Sequence, residues 1–284
     1  MSTSKATTVK LQEMKRDRQK IVMLTAYDYP TARTAEQGGI DVILVGDSLG
    51  MVVLGYDSTL PVTMEDMIHH TKAVTRGSKQ TMIVTDLPFL SYHISTPEAV
   101  RNAGRLIQEG GADAVKLEGG REVIEQVQAI VRAGIPVCGH IGLQPQMVNQ
   151  LGGYKVQGKD FDGAKKILED ALLLQEAGCF ALVLECVPTS LAALISERLS
   201  IPTIGIGAGD GCDGQVLVVH DMLGITDKYL PKFAKKYSEL AEDMKAAVAQ
   251  YAQEVRDGAF PEAHHGFKMS EDVLERLVEE TGLS

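Results

Sequence analysis

A set of polar residues stands at, or just past, the C-terminal ends of apolar runs: Asp47, Asp86, Glu118, His140, Glu185 and the pair His220-Asp221. If those runs are parallel strands closed into a barrel, this is the end where catalytic groups gather. In Lys116-Leu117-Glu118 the period of a strand puts Lys116 and Glu118 on one face, so both are expected to point into the barrel mouth. A buried ion pair that only specifies packing is the alternative use of the two. Asp47, Asp86 and Glu118 would then share one small region, where three carboxylates cannot all stay ionised without a compensating charge. A divalent cation supplies it, and an all-oxygen donor set favours Mg²⁺ over zinc while leaving positions for water and substrate. His140 suits a ligand, a proton shuttle or a donor to a substrate oxygen, and equally an imidazole satisfied by a backbone group.

The elements that must position these groups are eight short runs, near-continuously apolar as suits strands buried on both faces: Ile21–Thr25, Asp41–Gly46, Thr81–Asp86, Asp113–Glu118, Ile135–His140, Phe180–Glu185, Pro202–Gly207 and Val216–His220. Helical patterns separate most of them. Tyr29–Gly38, Thr63–Arg76, Thr96–Glu109 and Glu122–Arg132 each run into a glycine stop, and Asp162–Ala177 precedes Gly178. Ser95 offers a capping hydroxyl ahead of the first-turn Pro97. No G-x-G-x-x-G follows the first strand, so the alternation predicts an α/β fold of the (β/α)8 TIM barrel type rather than an open doubly wound sheet. One barrel domain over residues 1–284 is expected, with an N-terminal helical extension and additional C-terminal helices at Lys232–Val255 and Met269–Thr281. The connections Ser48 to Thr63 and Ile141 to Asp162 are longer than a minimal unit needs, and both follow strand C-termini. Such loops build or cover active sites, and Gly152-Gly153 and Gly158 would let the second one move. Gly205-Ile206-Gly207-Ala208-Gly209 lacks the third glycine of a dinucleotide fingerprint and reads as a place of close backbone approach. His69-His70 and His264-His265 read as surface pairs unable to face one another on a helix.

Composition narrows the function classes. With 28 Lys+Arg against 38 Asp+Glu the net charge is −10, the wrong sign for gripping nucleic acid or an anionic membrane surface. No apolar stretch approaches the roughly 20 residues that span a bilayer, and the first twenty residues lack the apolar core of a secretory signal, so a cytoplasmic location is expected. Cys138, Cys179, Cys186 and Cys212 form no C-x-x-C pair and read as reduced, buried thiols.

The motifs then become specific. Val45-Gly46-Asp47-Ser48-Leu49-Gly50, continuing through Gly55-Tyr56-Asp57-Ser58-Thr59 to Met64-Glu65-Asp66-Met67, resembles the signature of the ketopantoate hydroxymethyltransferases. So do Leu24-Thr25-Ala26-Tyr27-Asp28, Asp86-Leu87-Pro88-Phe89, Val115-Lys116-Leu117-Glu118-Gly119-Gly120, Gly139-His140-Ile141-Gly142-Leu143 with Pro145-Gln146, and the blocks from Gly205 through His220-Asp221-Met222-Leu223-Gly224. The resemblance runs in order from about Leu24 to Tyr237, departing from the family pattern at Leu230 and Asp210-Gly211. It implies a barrel of the phosphoenolpyruvate mutase and isocitrate lyase superfamily, Mg²⁺ dependence, and a ring-based homo-oligomer, usually a decamer. It implies transfer of a hydroxymethyl group from 5,10-methylenetetrahydrofolate to 3-methyl-2-oxobutanoate, giving 2-dehydropantoate through a stabilised enolate. Carried over by motif, Asp47 and Asp86 would be metal ligands, Glu118 a further ligand or a water-mediated one, Ser48 and Lys116 contacts to the keto acid, and Glu185 the base, with His140 beside the substrate. A folate-independent C–C lyase of the same superfamily is the competing reading.

Overall fold

The computed structural model describes residues 5–226 and 230–282, with backbone alone for Leu151. The chain forms two compact units, Met1–Tyr237 and Ser238–Ser284. In the first, eight parallel strands close into a barrel in sequence order: β1 (Ile21–Thr25), β2 (Val42–Val45), β3 (Met82–Asp86), β4 (Ala114–Glu118), β5 (Val137–Gly142), β6 (Ala181–Glu185), β7 (Thr203–Ile206) and β8 (Gly214–Leu217). Closure comes from β1 pairing with both β2 and β8.

Strand alternation sorts the core into two layers. Met23, Leu44, Val84, Ala114, Cys138, Val183, Ile204 and Val216 pack inside the barrel, while Ile43, Ile83, Val115, Leu117, Leu182 and Leu184 pack outward under the helices. The helix Thr8–Arg16, started by the Thr7 hydroxyl on the Lys10 N–H, places Leu11 and Met14 in the inner cluster. Because Ala114 faces inward, Lys116 and Glu118 do too, which is the two-residue period at work. The expected helix starts are present where their capping chemistry is: Ser95 Oγ accepts from the Glu98 N–H, and Thr63 with Asp66 forms a reciprocal capping box.

Four differences have physical causes. The eighth strand is Gly214–Leu217 rather than Val216–His220, and His220-Asp221 sits instead in the short helix Val219–Leu223. A Cβ on Gly214 would run into the Ile21 carbonyl and lie 2.8 Å from Ile204 Cδ1, so the seam of the barrel needs a residue with no strand propensity. The helix expected over Lys232–Val255 begins only at Leu240; before it, the Tyr237 N–H donates to the Met222 carbonyl at 2.8 Å, holding that segment out of helical register. His70 is not a surface feature, since its Nδ1 lies 2.6 Å from the Tyr27 carbonyl oxygen. His264 and His265 are exposed, but they occupy the 3-10 turn Ala263–His265, where their rings approach to 3.8 Å. All four cysteines are free, with Cys186 only partly buried. Among the described residues no helix is long and apolar enough to cross a membrane.

Candidate active site

The C-terminal ends of the strands surround a cavity of about 520 Å³ whose lining includes Asp47, Ser48, Asp86, Lys116, Glu118, His140 and Glu185. Asp221 lines it as well. The two long connections reach the same cavity, the first through Met51, Val52 and Thr59, the second through Leu143, Pro145 and Tyr154.

Asp47 follows β2 after Gly46, where a Cβ would crowd Ser48 Oγ at 2.8 Å. Its backbone N–H donates to Asp86 Oδ2 at 3.1 Å, so the ends of β2 and β3 are tied through the site itself. Lys116 Nζ lies 2.9 Å from Asp86 Oδ1, with both side chains buried. The same ammonium is 3.2 Å from His140 Nδ1. His140 in turn stands between two carboxylates, its Nδ1 3.6 Å from Glu118 Oε1 and its Nε2 3.2 Å from Glu185 Oε2. Glu185 is the wettest of the acids, its side chain 15% exposed against 2% for Glu118. Ser48 Oγ is 2.9 Å from the Tyr27 hydroxyl.

Burial and crowding set the charge states. Loss of water, added to repulsion from Asp86, pushes the Asp47 carboxyl up to about 7. Glu118 is raised well above the ordinary carboxylate range by burial and by Asp47. Burial opposes the Lys116 charge, but the neighbouring Asp86, Glu118 and Asp47 outweigh it and hold the ammonium above its usual range. Burial and the Lys116 charge push His140 down, so its imidazole is neutral at pH 7. The acids therefore outnumber the one ammonium among them, and protons or a cation must make up the difference.

Two residues that the strand-end pattern passes over hold the constellation rigid. Gln146 is buried on the loop after β5; its Nε2 donates to Asp47 Oδ2 at 2.8 Å and to the Leu87 carbonyl at 3.0 Å, while its backbone N–H donates to Glu118 Oε2 at 3.0 Å. Tyr92, wholly buried, places its hydroxyl 2.8 Å from Gln146 Oε1 and 3.0 Å from the Glu118 carbonyl. Only the Pro145-Gln146 block hinted at the first; nothing in the sequence singles out the second. The glycine run after β7 serves close approach to neighbouring loops: Phe233 packs where a Gly207 Cβ would be, at 2.8 Å, and Thr189 crowds Gly209 in the same way.

Among the described residues, Asp47, Asp86 and Glu118 do not bring three ligand atoms within 4.8 Å of one another; the trio that does is the exposed Glu262, His264 and His265. Asp47 and Asp86 by themselves nevertheless suit a hard divalent cation. They are adjacent, buried, oxygen-only donors, and Asp86 Oδ1, which faces the Lys116 ammonium at 2.9 Å, has no other polar partner among the described residues.

Comparison with known proteins agrees with this geometry. Solved structures with the same fold include a phosphoenolpyruvate phosphomutase from Streptomyces platensis subsp. rosaceus, with a TM-score of 0.60 at 14% identity over 97% of this chain and 95% of that one. A 2,3-dimethylmalate lyase, described as a member of the PEP mutase/isocitrate lyase superfamily, aligns with a TM-score of 0.58 at 16% identity over 97% and 96%. The likeness is one of fold, a closed (β/α)8 barrel. In sequence, the 3-methyl-2-oxobutanoate hydroxymethyltransferase of Carboxydothermus hydrogenoformans is 61% identical over 96% of this chain and 99% of its own length. The enzyme of the same name from Enterococcus faecalis is 60% identical over the same shares. The profile described as Ketopantoate hydroxymethyltransferase matches residues 5–263, which carry every strand-end residue discussed above. With near-complete coverage at this identity, the chain belongs to the ketopantoate hydroxymethyltransferase family.

Proposed function

We propose that the chain transfers a hydroxymethyl group from 5,10-methylenetetrahydrofolate to 3-methyl-2-oxobutanoate, giving 2-dehydropantoate and tetrahydrofolate. The observation that carries this reading is the convergence of Asp47, Asp86, Lys116, Glu118, His140 and Glu185 on one cavity in a chain about 60% identical to enzymes of that name. The folate-independent lyase reading is not favoured, because the lyase and mutase likenesses stop at 13–16% identity and concern the fold alone.

The chemical difficulty is removing the C3 proton of an α-keto acid near neutral pH. Mg²⁺ held by Asp47 and Asp86, with Glu118 as a further ligand or through water, would supply Lewis acidity toward the keto oxygen. The rest falls to the chain. Lys116, kept charged by the carboxylates around it, and Ser48, whose hydroxyl is fixed by Tyr27, hold the keto acid. Glu185 takes the C3 proton, and the C3–H electron pair becomes the C2–C3 double bond of the enolate. Neutral His140, 3.2 Å from Glu185 Oε2, orients that carboxylate and shares its proton. Water adds to the donor methylene as its two bonds to folate nitrogen break in turn, the water protons passing to the two nitrogens; the enolate C3 bonds to the resulting one-carbon carbonyl, whose oxygen takes the proton held by Glu185.

Proton NMR of 3-methyl-2-oxobutanoate in D₂O, with and without Mg²⁺, tests the reading. Loss of the C3 proton signal that depends on enzyme and metal is expected. No exchange even with tetrahydrofolate present would overturn it. By the same resemblance we infer a homo-oligomer, a decamer, in the cytoplasm.

A further inference from the structure

The cavity is larger than the keto acid needs. About 520 Å³ falls in the range that encloses drug-sized ligands, roughly 300–1,000 Å³, and its lining extends well beyond the acidic cluster with Lys116. From the loops and the segment after β8 it is walled by Met51, Val52, Leu143, Pro145, Tyr154 and Phe233. The two aromatic rings in that wall differ. Phe233 is backed onto Gly207, 2.8 Å from where a Cβ would stand, and is 37% exposed. Tyr154 is 53% exposed although it lines the cavity.

Tyr154 is held by its edge rather than its face. Its hydroxyl lies 3.7 Å from Met51 Sδ, which joins the loop after β5 to the loop after β2. Gly152 and Gly153, at φ +68° and +111°, turn the chain immediately before it, a backbone course that other residues adopt only with strain. Beyond it, the Gln157 N–H donates to the Cys186 carbonyl at 2.9 Å, anchoring the returning segment beside Glu185. A half-exposed ring tied at its hydroxyl leaves aromatic surface open to whatever fills the cavity it lines. Partial burial and the negative charges of Glu185, Asp47 and Glu118 push its phenol up, so it stays neutral there.

We propose that Tyr154 is the platform on which the planar heterocycle of the folate donor stacks, with the one-carbon unit directed inward toward Glu185. The proposal rests on the folate-dependent reading above, since a small keto acid has no ring to stack. Loss of one stacking partner of this kind weakens binding by roughly 5- to 150-fold.

The test is calorimetric titration of tetrahydrofolate into wild type, Tyr154→Ala and Tyr154→Phe, with C3-proton exchange of the keto acid followed on the same preparations without folate. Tyr154→Ala is expected to weaken tetrahydrofolate binding within that range, by at least about fivefold more than it alters the exchange rate, while Tyr154→Phe binds as wild type does. Equal affinity in Tyr154→Ala overturns the platform, and so does Tyr154→Phe as weak as Tyr154→Ala, because the hydroxyl and not the ring would then carry the contact. A misfolded variant would lose exchange in parallel with binding, and Tyr154→Phe then decides alone. Absence of exchange in wild type with Mg²⁺, even after tetrahydrofolate is added, instead removes the keto-acid reading on which the platform depends.

Discussion

At the scale of single residues the site is a problem of charge. Asp47, Asp86 and Glu118 share a dry pocket with one ammonium, and burial, added to their mutual repulsion, raises Asp47 to about 7 and lifts Glu118 well above the ordinary carboxylate range. Glu185 stands nearer the solvent, its side chain 15% exposed and 3.2 Å from His140 Nε2, where a substrate can reach it. Replacing Glu185 with Gln keeps the shape and removes the base, so C3 exchange should fall by roughly 10²- to 10⁴-fold while keto-acid affinity is retained; near-normal exchange would take Glu185 out of that role. Gln146→Ala tests the scaffold instead. It leaves Asp47 Oδ2 and the Leu87 carbonyl without their amide donor, which should cost about 1–3 kcal/mol in urea unfolding, since buried polar groups would go unsatisfied. An unchanged midpoint would mean water takes its place. Asp47, Asp86, Lys116, Glu118, His140 and Glu185 were legible in the sequence because each interrupts or ends an apolar run, and the barrel does the rest. Gln146 and Tyr92 were not, because they lie outside the strands and their positions follow from the closed fold rather than from any local pattern.

At the scale of elements, the strands hidden on both faces announce themselves as apolar runs, and seven of the eight stand close to where those runs lie. The exception, β8, is informative: Gly214 and Gln215 carry no strand signal, yet closure against Ile21 and Ile204 leaves space for a glycine only. Elements are also joined by clamps invisible to periodicity. Glu36, near the end of the helix Tyr29–Gln37, accepts from the Ser78 hydroxyl and from the backbone N–H groups of Lys79, Gln80 and Thr81 just before β3. Burial works against its charge, but these donors outweigh it and bring the carboxyl down to about 2 from 4.5. A group depressed in the folded state contributes its full stability above the unfolded value and loses it as pH falls toward the folded one. The stability gap between wild type and Glu36→Gln should therefore be widest at neutral pH and should narrow between pH 4.5 and about 2, measured by chemical unfolding at each pH. A gap constant across that window would show that the clamp works without the charge.

At the scale of the whole molecule, the C-terminal unit is the part that the chain alone does not explain. No described residue from 238 to 282 is buried, although both of its helices are amphipathic. Met244, Val248, Tyr251 and Val255 recur at helical spacing on Leu240–Asp257, and Val273, Leu274, Leu277 and Val278 share a face of Glu271–Thr281, all of them exposed. Contiguous apolar surface of this kind marks an association site, and so small a unit does not hold itself together by its own core. The homo-oligomer proposed above would supply the occupant, a second copy of the chain. Light scattering coupled to size exclusion should give a mass several times the 30.7 kDa of one chain. Val248→Glu, placing a charge in the middle of the stripe, should shift the particle to a smaller one while leaving the barrel's far-ultraviolet dichroism in place. A wild-type particle of single-chain mass would remove the oligomer, and an unshifted Val248→Glu particle would move the interface elsewhere. The stripe was visible as periodicity from the start, but which surface covers it is a property of the assembly, and one chain's sequence names the apolar face without naming what lies against it.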